Sequence, residues 1–129
     1  MRKALEILEG GLIFSLVYCW FFRGYIWLKW EKFEEGFQHI LKALRLCTQS
    51  GNWLWTAACL ELIAVIFSEK GRLSNAARLL GKADAIREAI GAPMPPLIGE
   101  YVEPAREMLE EKLGEESFRQ AWEKGRQLP

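Results

Sequence analysis

Two segments of equal length decide the fold: WFFRGYIWLKWEKFEEGFQHILKA at residues 20–43 and LELIAVIFSEKGRLSNAARLLGKA at residues 60–83. They start 40 residues apart and carry residues of similar character, in the same order, at seven positions. In the first segment these are Trp20, Gly24, Trp27, Phe33, Gly36, Ile40 and Ala43, and in the second Leu60, Ala64, Phe67, Leu73, Ala76, Leu80 and Ala83. A repeat of this length is typical of stacked supersecondary units, none of which buries its apolar face alone. We therefore expect an open-ended stack.

Helical periodicity and turn residues divide the chain further. Helices are predicted at residues 12–29, 31–49, 53–70, 73–90, 97–113 and 115–124. The glycines Gly11, Gly51 and Gly91 keep the 40-residue step, and we expect each to end a helix. The expected organisation is a single all-α domain of about six helices plus an N-terminal helix fragment. Residues 1–10 form the tail of a preceding helix, 11–50 the first repeat, 51–91 the second, and 92–129 a proline-rich linker with a capping helix pair.

Composition narrows the class of partner and the compartment. Lys and Arg total 17 and Asp and Glu total 17, so we expect no nucleic-acid partner, for which a clustered basic excess is typical. The three cysteines, Cys19, Cys47 and Cys59, are widely spaced in apolar helical pattern and include no Cys-x-x-Cys pair. We interpret them as buried thiols in a reducing compartment, and expect a cytoplasmic protein.

An apolar run from Leu12 to Leu28 raises the alternative of a membrane span or a signal peptide. Arg23 interrupts the run and Lys29 ends it, which leaves it short of the roughly 20 apolar residues that a spanning helix needs. No small-residue cleavage site follows it. A buried repeat helix explains the same residues, so we expect no membrane partner.

The repeated positions resemble the tetratricopeptide repeat, whose helix A carries Trp, Leu, Gly and Tyr at fixed steps and whose helix B carries Ala, Phe and Ala. Arg23 departs from the pattern at the Leu position, and Glu31 departs at the turn position where the second unit has Gly71. The resemblance implies antiparallel helical hairpins in a superhelix. It also implies close helix crossings where Gly24 meets Gly36 and where Ala64 meets Ala76.

A step of 40 residues, longer than the usual step of about 34, resembles the long repeats of large bacterial transcriptional regulators and signalling ATPases. Residues 75–127 are similar to the carboxyl end of those proteins, notably in the runs AARLLG at 76–81, AIREAIGAP at 85–93 and AWEKGR at 121–126. In that family the segment belongs to an interaction or sensor scaffold with no catalytic residue of its own. The family's DNA-binding and nucleotide-binding modules have no counterpart here.

Catalytic, metal and cofactor sites are not expected. His39 is the single histidine, and no Cys or carboxylate stands at a metal-ligand spacing from it. The carboxylates Glu103, Glu107, Glu110 and Glu111 alternate with Arg106 and Lys112, as on a solvated helix face. No glycine-rich phosphate loop is present. We therefore expect neither an enzyme nor a cofactor-binding protein.

Ten of the sixteen aromatic residues lie between Phe14 and Phe37, more than one helix face can hold. The resemblance implies a concave partner groove lined by the following residues of the two A helices: Tyr18, Phe21, Tyr25 and Lys29, with Glu61, Val65 and Glu69, and Ala58 beside them. Aromatics on such a wall suit interface anchors. The alternatives are internal packing against a neighbouring repeat and cover by a second copy of the chain, as a homodimer through the uncovered first repeat.

The sequence thus predicts a non-catalytic scaffold for a protein or peptide partner, as part of a bacterial regulatory or signalling protein. The alternative function is a small-molecule sensor that binds an apolar ligand in the aromatic groove.

Overall fold

The computed structural model describes residues 2–128, except the side chains of residues 6, 7, 9 and 10. Six helices follow one another in this part of the chain, with no strand between them. They are α1 (Arg2–Lys29), α2 (Phe33–Ser50), α3 (Trp53–Glu69), α4 (Leu73–Ile90), α5 (Pro96–Leu113) and α6 (Glu115–Arg126). The all-α class predicted from the sequence is confirmed.

The 40-residue repeat is present in the backbone as well as in the side chains. Helices α1 and α2 form one hairpin and α3 and α4 form the next. Gly51 and Gly91 follow the second helix of each hairpin with φ of 71° and 67°. Within the hairpins, Glu31 and Gly71 occupy equivalent turn positions with φ of 58° and 80°. The departure at Glu31 therefore leaves the turn unchanged, since a non-glycine residue adopts the left-handed backbone there.

Helix α1 differs from the prediction at its start. It is continuous from Arg2 to Lys29. The predicted helix end at Gly11 is therefore wrong, and residues 2–10 belong to α1 and not to a separate helix tail. Glycine inside a helix costs only about 0.5–1 kcal/mol relative to Ala, and helical periodicity continues on both sides of Gly11. The other helix ends lie within two residues of the predicted ones.

Small residues set the distance between the helices of each hairpin. A Cβ built on Gly24 would lie 2.5 Å from Ile40 Cδ1, and one built on Gly36 would lie 3.0 Å from Leu28 Cδ2. In the second hairpin, Ala64 and Ala76 are buried at the equivalent positions. The close crossings implied by the resemblance are therefore present, and larger side chains there would push the helices apart.

Helix α3 is the centre of the core. Between residues 56 and 68, all side chains but those of Leu60 and Phe67 are buried. Helix α2 packs on one side of α3, α4 on another and α5 on a third. A helix covered on all sides is apolar all round, which explains why α3 shows little amphipathic pattern in the sequence.

The last two helices do not form a third hairpin of the same kind. Helix α6 packs mainly on α4 and touches α5 much less. A Cβ on Gly81 would overlap the backbone carbonyl of Trp122, and a Cβ on Gly125 would overlap that of Arg78. The runs at 76–81 and 121–126, noted above for their resemblance, thus meet at one close crossing between α4 and α6.

Candidate functional site

The residues predicted to line a partner groove are mostly covered. Four of the seven are buried, with exposed fractions of 1% for Phe21, 6% for Tyr25, 1% for Glu61 and 7% for Val65. Tyr18, Lys29 and Glu69 are exposed, and the neighbouring Ala58 is buried. The expectation of an open groove is therefore wrong for this conformation. That a partner uses these residues stays a prediction.

Helix α5 packs on α3 and covers part of the groove, near Tyr25, Ala58 and Val65, whereas Phe21 packs against Phe22 and Trp55. Tyr101 stands edge-on to Tyr25, with their ring centroids 5.4 Å apart. Ile98 borders the same small cavity as Ala58, and Tyr101 borders the same cleft as Val65. Helix α5 carries its buried apolar residues at positions 98, 102 and 109, a spacing that places them on one side of a helix. The sequence revealed this apolar side but not the surface on which it rests.

The Tyr25 hydroxyl is the one buried side-chain polar atom without a hydrogen-bond partner among the described residues. Burial raises its pKa, and the nearby Tyr101 and Glu100 raise it further. Burial likewise raises the pKa of Tyr101. The Tyr25 hydroxyl therefore lies near the Tyr101 hydroxyl without a well-formed hydrogen bond to it, and a buried polar atom left unsatisfied costs about 1–3 kcal/mol.

Glu61 and Arg87 form a buried ion pair that joins α3 to α4. Arg87 Nε donates to Glu61 Oε2 at 2.8 Å and Arg87 Nη2 donates to Oε1 at 2.6 Å. The two side chains are 1% and 6% exposed. Burial raises the pKa of the Glu61 carboxyl, although the Arg87 guanidinium acts to lower it. Glu61, which was predicted to line the groove wall, is instead paired with Arg87 within the fold.

Arg87 also fixes the linker that leads to α5. Its Nη1 donates to the carbonyl oxygens of Ala92 and Pro93, both at 3.3 Å. Every nitrogen of the guanidinium group thus has an acceptor, as a buried charge requires. One side chain therefore links α3, α4 and the start of the linker, and it sets where α5 enters the groove.

A cleft of about 460 Å³ lies beside this pair, between α3, α4, α5 and α6. Asp84 and Glu88 line it, and both form ion pairs with Arg126, Glu88 at 2.6 Å. Arg106 and Trp122 complete that side of the cleft. The volume suits a small ligand. The charged groups around the cleft are already paired, however: Glu61 with Arg87, and Asp84 and Glu88 with Arg126. Arg106 pairs with Glu110 at 3.3 Å.

The described side chains offer few groups that are arranged for acid–base or metal chemistry. Among the side chains that the structure describes, no three His, Cys, Asp or Glu come together in a group that could hold a metal ion. His39 Nδ1 donates to the Glu35 carbonyl oxygen at 2.7 Å, and its ring lies 5.4 Å from that of Trp20. This arrangement fits the structural role expected for His39. The expected absence of catalysis, metal and cofactor stays a prediction.

The alternative function, an apolar-ligand sensor, has a smaller cavity to use. A cleft of about 240 Å³ between α1, α3 and α5 is bordered by Leu28, Phe33, Val65, Tyr101 and Met108, among others. Ligand pockets are usually about 300–1,000 Å³. The larger cleft is lined by apolar residues together with the paired charges of Glu61 and Arg87. No observation in the described residues favours the sensor over the scaffold.

The cysteines divide into a buried pair and one exposed thiol. Cys47 on α2 and Cys59 on α3 are both buried, as expected, whereas Cys19 on α1 is exposed and its predicted burial is wrong. A hydrogen bond between the buried thiols lowers the pKa of Cys47 and raises that of Cys59, which burial raises further. The two thiols belong to α2 and α3, which pack on each other at the interface between the repeats.

Within residues 2–128, one helical segment is long and apolar enough to cross a membrane by length and composition. This is Gly11–Lys29 of α1, of which 28% is buried. A buried repeat helix was expected here, whereas only one side of this segment is buried, against α2 and α3. A core helix passes the same test of length and composition.

No protein-family model matches the chain, and neither a curated protein nor a solved structure matches it significantly. The class of protein therefore rests on the fold alone. The chain is an all-α protein built from two helical hairpins of one 40-residue repeat and two further helices, one of which, α5, packs on α3 over part of the groove.

Proposed function

We propose that this protein is a non-catalytic, tetratricopeptide-like scaffold that binds a partner helix in the groove of α1 and α3. The repeat pattern and the resemblance of residues 75–127 further suggest a bacterial regulatory or signalling protein that works in the cytoplasm. In this proposal α5 is the intramolecular occupant of the groove. A partner helix with the same apolar spacing takes its place.

One observation carries the proposal: the groove residues already hold a helix. Tyr25, Ala58 and Val65 are covered by α5 through apolar and aromatic contacts, with no ion pair between α5 and the groove among the described residues. Recognition of an amphipathic helix in an apolar groove is a recurrent mode of protein interaction. Small cavities and the unsatisfied Tyr25 hydroxyl lie along α5, so its packing leaves room for a better-fitting competitor.

The test uses a fluorescent synthetic peptide of residues 96–113 and the full chain. Ile98 is 5% exposed and borders the groove beside Ala58. Ile98→Asp places a charge in that apolar contact, so it should release α5 and free the groove. The peptide should then bind the variant at least tenfold more tightly than the parent, measured by fluorescence anisotropy.

Glu103→Gln is the matched control, because Glu103 lies on the same helix and is exposed. It should leave peptide binding at the level of the parent. Circular dichroism establishes that each variant remains helical. A folded Ile98→Asp variant that binds the peptide no better than the Glu103→Gln control would overturn the proposed use of the groove.

A further inference from the structure

Helix α1 carries a second apolar side that faces away from the rest of the described chain. Eight positions at an average spacing of about 3.6 residues form one straight stripe along it. Its members are Leu5, Leu8, Leu12, Leu16, Cys19, Arg23, Ile26 and Trp30, which we call the α1 stripe. All eight are exposed, from 41% for Leu16 to 73% for Trp30 among the large apolar members.

The opposite side of α1 packs inside the protein, where Val17, Phe21, Gly24 and Leu28 are buried. Helix α1 is thus apolar on two sides, a pattern that is typical of a helix covered on both. Seven apolar side chains that are each roughly half exposed amount to on the order of 600 Å². This is at the upper end of the about 300–600 Å² that the largest apolar patch of a typical monomer covers, and patches of this size often mark an interaction site.

The repeat shows what kind of element covers such a stripe. The positions 40 residues after Leu16, Cys19, Arg23 and Ile26 lie on α3 and are buried, being Thr56, Cys59, Ile63 and Ile66. Helix α2 lies along that side of α3, where Glu34 pairs with Lys70 at 2.6 Å and the rings of Phe37 and Phe67 are 5.9 Å apart. The element that fits the α1 stripe is therefore another α-helix packed along it.

We infer that a second copy of this chain covers the α1 stripe, through its own α1, in a two-fold symmetric dimer. The stripe is self-complementary because it is apolar along its whole length, as an interface between identical surfaces requires. Two copies would bury on the order of 1,200 Å² in total, the lower limit for a specific interface. This site is separate from the groove of α1 and α3 described above.

Arg23 is the one charged member of the α1 stripe, and its guanidinium group points away from the stripe. Its guanidinium carbon lies 5.4 Å from the centroid of the Trp20 ring on the neighbouring side of α1. The aliphatic stem alone then remains in the stripe, as is common for Arg at interfaces. A lipid bilayer is a poorer occupant, because α1 would keep α2 and α3 packed on its other side with their exposed charges inside the membrane.

The experiment measures the association of the full chain by sedimentation equilibrium over a range of concentrations. Leu16→Glu and Ile26→Glu each place a charge in the apolar stripe, and each should raise the dimer dissociation constant about a hundredfold. Leu97→Glu makes the same change at a 45% exposed leucine on α5 and should leave the constant unchanged. Far-UV circular dichroism verifies that all three variants fold.

Cys19 gives a second readout that needs no change in the stripe. It lies within two residues of the middle of the stripe, so two-fold pairing brings the two copies of Cys19 close together. A short bismaleimide should link them into a covalent dimer, since Cys47 and Cys59 are buried. Cys19→Ser should abolish the link. A parent that stays monomeric, a dimer that both glutamate variants leave intact, or association seen only with phosphatidylcholine vesicles would each overturn the inference.

Discussion

The crossing of α4 and α6 gives the sharpest test of the packing, through Gly125→Ala. The added Cβ would lie 2.6 Å from the carbonyl carbon and 2.8 Å from the Cα of Arg78. Both atoms are backbone, so no rotamer change relieves the contact and α6 must move away from α4. Phe118 and Ala121 on α6 are buried, so this movement would expose apolar surface. Overpacking of this kind costs about 1–3 kcal/mol.

The matched control is Gly11→Ala, because a Cβ on Gly11 would meet nothing within 4 Å. Both changes replace glycine by alanine inside a helix, which by itself favours folding by about 1 kcal/mol. We expect Gly11→Ala to raise the free energy of unfolding by about 1 kcal/mol, and Gly125→Ala to have a free energy of unfolding about 1–3 kcal/mol below that of Gly11→Ala, because overpacking offsets the same gain in helix propensity. Urea unfolding followed by circular dichroism measures both. Equal stability of the two variants would show that α6 does not approach α4 this closely.

Three further predictions concern the core. Gly36→Leu should cost about 1–3 kcal/mol or more in the free energy of unfolding, because its side chain would enter the crossing with α1; thermal melts should show this loss and none for Glu110→Gln on the exposed side of α5. Burial raises the pKa of Glu61 in the folded state, so that state holds the proton more tightly than the unfolded chain. Relative to Glu61→Gln, the parent should therefore lose stability as pH rises above about 4.3, and a pH series of melts that shows a gain would contradict this. Tyr25→Phe removes an unsatisfied buried hydroxyl and should stabilise the protein by about 1 kcal/mol, whereas a loss would point to a hydrogen bond from Tyr25.

Much of the fold could be predicted because its determinants are local or repeated. Gly51 and Gly91 end helices through their own backbone preference, and the 40-residue step aligned Gly36 with Ala76 at equivalent crossings. The helix end predicted at Gly11 is wrong because a glycine marks a helix end only where the chain turns. The 28-residue α1 has apolar residues at helical spacing on both sides of it, and these keep the helix continuous.

The candidate site could be predicted much less well. Glu61 and Arg87 are 26 residues apart, and neither carries a local sign that the two will pair. The apolar spacing in α5 showed that one side would be buried, but the surface that buries it depends on how the linker leaves α4. The three-dimensional anchor of that linker is Arg87, through the carbonyls of Ala92 and Pro93. Contacts of this kind are fixed by the assembled fold and not by the spacing of residues along the chain.

The close fit of α6 on α4 makes the stack directional. A further hairpin after α4 would need the side of α4 that α6 occupies, and Gly81 and Gly125 bring the two backbones too near for a third element to share it. The array can therefore be lengthened by inserting a second copy of residues 52–91 directly before residue 52. Helices α5 and α6 then stay at the end of the stack. A unit added after α4 would have to displace α6, so helical arrays designed from this protein should grow between the two hairpins.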